Sequence, residues 1–201
     1  MRNYYVRMML LGILFFPFSS CQTIIKTYAG VKKPKYENDV EVRSFLREKG
    51  IENALVLRPF EINEYARLLK GLRSPDVLMF NSQGYRMNFF EVTTCSAPVD
   101  DFVKNICAGT YINIDSARHL TKFFKVLKPM QESDSIQMAD NLKTQPDFSV
   151  IIVYGKYLGW KLINENVVPW SNSLASNKNC IVHTYYLNLD AFSEELGKMI
   201  K

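Results

Sequence analysis

The sequence predicts an α/β fold, a three-layer arrangement in which helices cover both faces of one sheet and a single β-hairpin is added. Apolar runs at 54–60 and 148–154 have the length of buried strands, and the second is rich in β-branched residues. Segments whose apolar residues recur at helical spacing alternate with these runs. Two β-rich runs flank the turn sequence Asn-Ser-Gln-Gly at 81–84, which is typical of a hairpin.

In the first half, Asp39 is predicted to cap a helix that stops at Gly50. The apolar face of this helix is formed by Val42, Phe45 and Leu46. A strand at 54–60 follows, and then a second helix that ends near Gly71. The apolar stripe of the second helix is formed by Ile62, Tyr65, Ala66 and Leu69. The hairpin comes next, within 76–92.

The second half repeats the alternation. Apolar spacing predicts two helices, with inward faces at Val99, Phe102, Val103 and Ile106 and at Ala117, Leu120, Phe124 and Leu127. The polar stretch 131–147 is predicted as a loop with some helix, and 148–154 as the central strand of the sheet. A helix, a strand at 180–190 and a closing helix complete the fold. The two helices are marked by Val167, Trp170 and Leu174 and by Phe192, Leu196 and Ile200.

Length and composition predict a single folded domain. The chain has 201 residues, of which 47% are hydrophobic and 22% charged, a composition that disfavours a disordered chain and a coiled coil. A net charge of +5, spread among scattered lysines, is too mild to predict a nucleic acid partner.

An apolar run of eleven residues, Met8 to Phe18, follows two basic residues at the start of the chain. A helix needs about 20 apolar residues to cross a bilayer, so a spanning anchor is not expected. The length fits the apolar region of a secretory signal, which is about 7–15 residues long. We therefore predict a signal peptide at 1–20, a lysine-rich tether at 21–38 and a domain at 39–201. The tether lysines either touch anionic headgroups or belong to a solvated linker.

Ser19, Ser20 and Cys21 end this run, and the stretch resembles the lipobox of bacterial lipoproteins. The resemblance implies cleavage before Cys21, which then carries a diacylglyceryl thioether and an N-acyl chain, and several acyl chains anchor a protein stably. Gln22 stands where an aspartate often marks inner-membrane retention, which favours the outer membrane in a host with two membranes. The alternative is an ordinary secretory signal in which Cys21 has no such role.

The segment from SVIIVYGKYLGW to YYLNLD, residues 149–190, resembles the strand, active-site helix and strand that open a thioredoxin domain. Tyr157, Leu158, Gly159 and Trp160 stand where that family carries C-x-x-C, so dithiol exchange is excluded there. Either the hairpin replaces the family's final hairpin in permuted order, or the likeness is by analogy only. The whole chain also resembles lipoproteins of Bacteroides-like bacteria, a resemblance that implies no activity.

Three cysteines follow Cys21, namely Cys95, Cys107 and Cys180, so at least one is left without an internal partner. A straight helix from 96 would separate Cys95 and Cys107 by roughly 18 Å, so no bridge between them is predicted. Cys95 precedes a predicted helix start, where a thiol pKa is lowered. The alternatives are a buried inert cysteine and a redox- or peroxide-reactive thiol, for which the acidic pair at 100–101 would compete at the helix start.

Other reactive constellations are not predicted. His119, on a helix flank, and His183, within a strand, lack partners at metal-ligand spacing. Strand parity places Cys180 and His183 on opposite faces. The adjacent carboxylates at 100–101 and 194–195 are predicted to lie on solvated helix surfaces. The sequence therefore predicts no metal and no cofactor.

Two classes of function are open. The first is a non-catalytic, lipid-anchored envelope protein, held at the membrane by the lipid on Cys21, whose domain binds an envelope protein or a small ligand. The second is a single-cysteine thioredoxin-like oxidoreductase that uses Cys95. A hydrolase with unassigned residues is a lesser alternative.

The lipobox resemblance predicts the mass of the protein extracted from its native membrane. We expect the loss of residues 1–20 and the addition of a lipid mass on Cys21, measured by intact-mass spectrometry. A full-length chain recovered without lipid would contradict the prediction.

Overall fold

The sheet of this protein has seven strands among the residues that the computed structural model describes, which are 30–72, 74–88, 97–107 and 114–191. Its strand order is β4-β3-β2-β6-β7-β1-β5. The strands are β1 Leu55–Pro59, β2 Asp76–Asn81, β3 Tyr85–Met87, β4 Ile114–His119, β5 Leu127–Pro129, β6 Phe148–Tyr154 and β7 Val182–Asn188. The predicted α/β class is confirmed.

The middle of the sheet is parallel and its edges are antiparallel. β6 pairs with β7 over seven residues and β7 pairs with β1, in both cases in parallel. The hairpin of β2 and β3 lies beside β6, on the side away from β7, and runs antiparallel to it. β6 is the central strand, as predicted, and its residues 150–154 have no exposed surface.

Helices cover both faces of the sheet. They are α1 Asp39–Glu48, α2 Ile62–Gly71, α3 Ala97–Lys104, α4 Leu120–Phe124, α5 Glu132–Lys143, α6 Gly159–Leu162 and α7 Val168–Ser176. Helices α1, α3 and α7 pack on the face that includes Val150 and Ile152, whereas α2 and α4 pack on the face of Ile151 and Val153. Among the described residues, none of these helices combines the length and apolarity needed to cross a membrane.

Helix α1 confirms the predicted apolar face and the stop at Gly50, which has a φ of +77°. The cap, however, is Asn38, which forms a reciprocal capping box with Glu41. Asp39, the predicted cap, instead accepts a hydrogen bond from Arg58 at 2.9 Å. In α2 the buried residues are Tyr65 and Leu68, while the predicted Ala66 is exposed.

The prediction of one helix from Ala117 to Leu127 was wrong. Ala117 lies in β4, only Leu120–Phe124 is helical, and Leu127 begins β5. β4 is an edge strand with mostly exposed residues, so its sequence lacks the apolar alternation that marks a strand. The register with β3 decided its structure.

The stretch 131–147, predicted as a loop with some helix, contains the twelve-residue helix α5. Asp134 is the buried residue of this helix; it bonds Arg43 and accepts the backbone N–H of Val56. The buried contact of α5 is made by a polar residue, so the sequence shows no apolar stripe that would predict this helix. Asp100, predicted as solvated, also has a partner, since Trp170 donates its indole N–H to it.

A helical segment connects β6 to β7. It runs through the 3₁₀ turn Lys156–Leu158, α6, the π-helical turn Ile163–Val167 and α7. The helix predicted around Trp170 is therefore confirmed. Pro169 lacks the N–H that would bond the carbonyl four residues earlier, which explains why the wider π turn precedes α7. The predicted closing helix at 192–200 lies outside the described residues.

A disulfide joins Cys107 to Cys180, with a Cα–Cα distance of 5.7 Å. It ties the turn after α3 to the residues before β7, which are 73 positions apart in sequence. Cys107 is therefore already bonded to a residue other than Cys95. Cys95 itself lies outside the described residues.

Loss of this disulfide will destabilise the fold. We expect the double variant Cys107→Ser/Cys180→Ser to lower the free energy of unfolding by about 2–5 kcal/mol, because the bridge restricts a long loop of the unfolded chain. Urea unfolding measures the loss, and the reduced wild type is the matched control. Equal stability of the oxidised and reduced proteins would contradict the bridge.

Candidate functional site

The carboxyl edge of the parallel strands is the usual place for a site in an α/β sheet. Here Asp190, two residues after β7, lies at that edge and is 3% exposed. Its carboxylate accepts the backbone N–H groups of Lys156 and Tyr157 at 2.9 and 3.3 Å and the side-chain amide of Asn188 at 2.8 Å. The first N–H groups of the helical segment after β6 are therefore bound by the chain's own carboxylate.

The residues before α1 cover this edge further. Tyr36 forms a parallel bridge with Ala191, and Lys32 donates its N–H to the carbonyl of Tyr157 at 2.6 Å. Glu37 pairs with the Lys156 ammonium, 2.5 Å away. The last residues of the stretch predicted as a tether thus contact the domain and lie across this edge.

Burial raises the pKa of the Asp190 carboxyl above its usual 3.8, because desolvation outweighs the N–H groups that stabilise its charge. Burial likewise raises the pKa of Tyr65 above 10.0, with the charges of Tyr157 and Asp190 adding to the effect. The Tyr65 hydroxyl donates a hydrogen bond to the carbonyl of Leu189 at 2.9 Å. These groups stabilise the edge of the sheet.

The positions that replace C-x-x-C lie at this edge. Tyr157 and Leu158 belong to the 3₁₀ turn, Gly159 has a φ of +81°, and Trp160 is 68% exposed. Of the other predicted site residues, Cys21 and Cys95 lie outside the described residues. The carboxylates at 194–195 do so too.

His119 ends β4 and is the N-cap of α4. Its Nδ1 accepts the backbone N–H of Thr121 at 3.3 Å, and its Nε2 lies 2.9 Å from the carbonyl of Gln83. Because a carbonyl only accepts, the neutral ring carries its proton on Nε2. Both ring nitrogens are therefore engaged in joining the hairpin turn to α4.

His183 lies in β7, with Nε2 3.1 Å from the Thr144 hydroxyl. Burial lowers its pKa below 6.5. Cys180 is bonded to Cys107 and precedes the strand, so the predicted strand parity with His183 does not apply. Within the described part of the chain, no three His, Cys, Asp or Glu side chains are placed to hold a metal ion.

A second location has an open cavity of about 310 Å³ between α2, α4 and the β3–β4 edge. We call it the cationic pocket. Five basic side chains line it, namely Arg67, Arg86, Arg118, His119 and Lys122. Four large apolar residues also line it, namely Leu68, Leu72, Phe123 and Val126, together with Gly71 and Ala117. Among the described residues, the lining includes no carboxylate.

The cations of the pocket have partners outside or at its margin. Arg67 pairs with Glu64 at 2.6 Å, and Arg118 pairs with Asp115 at 3.3 Å. The Lys122 ammonium donates a hydrogen bond to the neutral carbonyl of Ala117 at 2.9 Å. Burial, followed by the charge of Arg118, lowers the pKa of Arg86. The two carboxylates that pair with these cations, Glu64 and Asp115, are not among the described lining residues.

A larger groove, of about 550 Å³, lies at the start of α1. Its polar groups already bind each other, because Asp39 pairs with Arg58 and Asn38 forms the capping box with Glu41. The cationic pocket is the better candidate, since its cations converge without a lining carboxylate.

Sequence reasoning missed this pocket. Its basic residues come from three segments, at 67, 86 and 118–122, and each residue alone is an ordinary surface cation. The segment 118–122 was predicted to be one helix, which would have placed Arg118 and Lys122 along a helix face instead of at a strand end. The sequence alone could therefore not predict the pocket, because the pairing of β3 with β4 places these basic residues.

Comparisons with protein-family models, curated proteins and solved structures found no match to this chain.

The Asp190 cluster predicts a stability effect with a defined pH dependence. We expect Asp190→Asn to lower the free energy of unfolding at pH 7 by about 1–3 kcal/mol, because the N–H groups of Lys156 and Tyr157 bind different carboxylate oxygens, and the amide nitrogen that replaces one oxygen cannot accept a hydrogen bond. Since the folded pKa of Asp190 lies above its unfolded value, protonation favours the folded wild type as the pH falls through that interval.

The deficit of the variant should therefore grow between pH 7 and pH 4. Urea unfolding at several pH values measures it, with the exposed Asp101→Asn as the matched control. A deficit that shrinks as the pH falls would show that the sign of the pKa shift is wrong.

Proposed function

We propose that this protein is a lipid-anchored component of the bacterial cell envelope whose domain binds a small ligand without chemical conversion. The observation that carries the binding role is the cationic pocket, an open cavity with converging cations and an apolar wall. The carboxyl edge of the sheet, by contrast, is occupied by Asp190 and by the residues before α1.

The anchoring part of the proposal is supported by the lipobox resemblance at Cys21. Eleven apolar residues, a pair of serines and a cysteine form that pattern. The lipid would hold the domain at the membrane surface, with the outer membrane favoured by Gln22. A chain of at most fifteen residues, 22–36, connects the lipid to the first bridge with the sheet.

The composition of the pocket lining supports binding without catalysis. His119 is the one histidine among the described lining residues, and hydrogen bonds to Gln83 and Thr121 engage both of its ring nitrogens. The other described lining residues are three arginines, apolar residues, glycine and Lys122, whose ammonium donates to the Ala117 carbonyl, and this set is suited to holding a ligand.

A pocket-filling substitution tests the binding role. Gly71 lines the pocket, and a Cβ at this position would meet no atom within 4 Å, so a larger side chain can enter the cavity. We expect that at least one probe among butyl phosphate, butyrate, n-butanol and butylammonium will raise the melting temperature saturably. Gly71→Trp should abolish that rise.

The matched control is Gly71→Ala, which should retain the response because it leaves the cavity open. The protein is used as the full mature chain in a neutral detergent. If no probe binds, or if Gly71→Trp binds as well as the wild type, the proposed binding site is wrong.

A second candidate function, a single-cysteine thioredoxin-like oxidoreductase, is favoured by two observations. The hairpin lies beside β6, the first strand of the segment that resembles a thioredoxin domain. Pro75 directly precedes that hairpin, as a proline-bearing loop precedes the final hairpin in thioredoxin-like domains. The Cys107–Cys180 bond also leaves Cys95 without either of those partners.

The two functions differ in their thiol chemistry. For the binding protein we expect Cys95 to react with a thiol probe only after denaturant is added, because free cysteines are usually buried. Thiol-exchange activity of the wild type should equal that of Cys95→Ser. Activity that Cys95→Ser removes would favour the oxidoreductase.

A further inference from the structure

We propose that the cationic pocket is selective for a small amphiphilic anion, a phosphate monoester or carboxylate attached to a short apolar group. The inference rests on the proposed binding function and names the class of its ligand. Three arginines, a lysine and an apolar wall line this cavity, so the cations match an anionic group of the ligand and the wall matches its apolar group.

The anionic part follows from how the cations are placed. Arg86 and Arg118 are close enough for the charge of one to affect the other, and both line the cavity. Asp115 partly neutralises this pair, since it pairs with Arg118 at 3.3 Å and its charge also raises the pKa of Arg86. A guanidinium has five N–H donors, so the two arginines keep donors for a second anion. Oxygen atoms of a phosphate or carboxylate match the planar donor pattern of a guanidinium.

Arg86 is the least solvated of these groups. Its Nε is buried and has no hydrogen-bond partner in the structure, and Arg86 is one of the residues that line the cavity. A partly dehydrated guanidinium binds an anion more strongly than an exposed one, because less water is displaced and the local dielectric constant is lower. Asp76 and Asp115 lie near enough to raise its pKa, but neither belongs to the lining.

Lys122 adds a cation that is free to turn. Its ammonium donates to the carbonyl of Ala117, a neutral acceptor, and an ammonium has three donors. A bound anion could receive one of the other N–H groups without breaking an ion pair. By contrast, Arg67 is 65% exposed and pairs with Glu64, so it belongs to the rim of the pocket.

The apolar group of the ligand is inferred from the apolar residues that line the cavity. Leu68 is buried against the core, and Leu72, Phe123 and Val126 are partly buried beside it. All four also line the cavity, so they leave apolar surface exposed to solvent next to the cations. Covering that surface with a few methylene groups contributes roughly 25 cal/mol per Å².

The size of the cavity limits the ligand. About 310 Å³ is at the lower end of small-molecule pockets, which span about 300–1,000 Å³. A nucleic acid strand needs a basic groove that extends over several nucleotides, and this cavity is too short for one. The ligand is therefore a small molecule or the end of a longer one.

The experiment compares five probes on the full mature protein in a neutral detergent. They are butyl phosphate, butyrate, inorganic phosphate, n-butanol and butylammonium, and the readout is the apparent Kd from the saturable rise in melting temperature. We expect the apparent Kd of butyl phosphate and of butyrate to be at least about tenfold below that of n-butanol and of inorganic phosphate. Butylammonium should give no rise.

Variants assign the effect to the pocket cations. Arg86→Met should raise the apparent Kd of butyl phosphate by about tenfold or more, and the exposed Arg47→Met on α1 is its matched control. Should Arg86→Met fail to fold, Arg118→Gln serves instead, because that side chain is 58% exposed and its loss leaves the core intact.

The outcomes separate this inference from the binding function. If n-butanol binds as tightly as butyl phosphate and Gly71→Trp abolishes both, the pocket binds a ligand but the anionic class is wrong. If inorganic phosphate binds as tightly as butyl phosphate, the apolar part is wrong. Unchanged binding in the folded Arg86→Met or Arg118→Gln variants overturns the role of the cations, and failure of every probe overturns both proposals.

Discussion

The parallel pairing of β6 with β7 is the contact on which the rest of the structure depends. Seven residue pairs join these strands, and residues 150–154 of β6 are entirely buried. A strand that is apolar on both faces must be covered on both faces, so helices are required above and below it. The parallel pairing also requires a crossover, which the helical segment between the strands provides.

Closing the carboxyl edge of these strands is the second constraint. A helical segment that begins there exposes backbone N–H groups, which attract a negative charge. In this chain Asp190 supplies that charge from within, and the residues before α1 lie across the same edge. The place where α/β proteins usually hold a ligand is therefore used for stability.

The cationic pocket lies instead on one side of the sheet, beside the antiparallel β3–β4 edge and the short helix α4. β3 has three residues and α4 has five, so they cannot cover the end of α2 completely. The side chains left around the gap are cations and the margins of the apolar core. Incomplete coverage next to a fixed β-ladder gives a pocket that does not need to form on binding.

Local sequence patterns were sufficient wherever an element contacts the core through its own apolar residues. This holds for α1, for α3 and for β6, whose spacing or β-branched content is visible in the sequence. Local sequence patterns were insufficient where a polar contact or a neighbouring strand decides the structure. Asp134 holds α5 against β1 through polar bonds, and β4 is extended because β3 pairs with it.

The sequence by itself determined the α/β class, the central position of β6 and the apolar start that ends at Cys21, because these depend on runs of neighbouring residues. Only the tertiary structure decided that Cys107 bonds Cys180, that Asp190 fills the carboxyl edge and that four cations meet in one cavity. The physical reason is sequence distance. Groups that are 34 or 73 positions apart interact only after the sheet has brought their elements together.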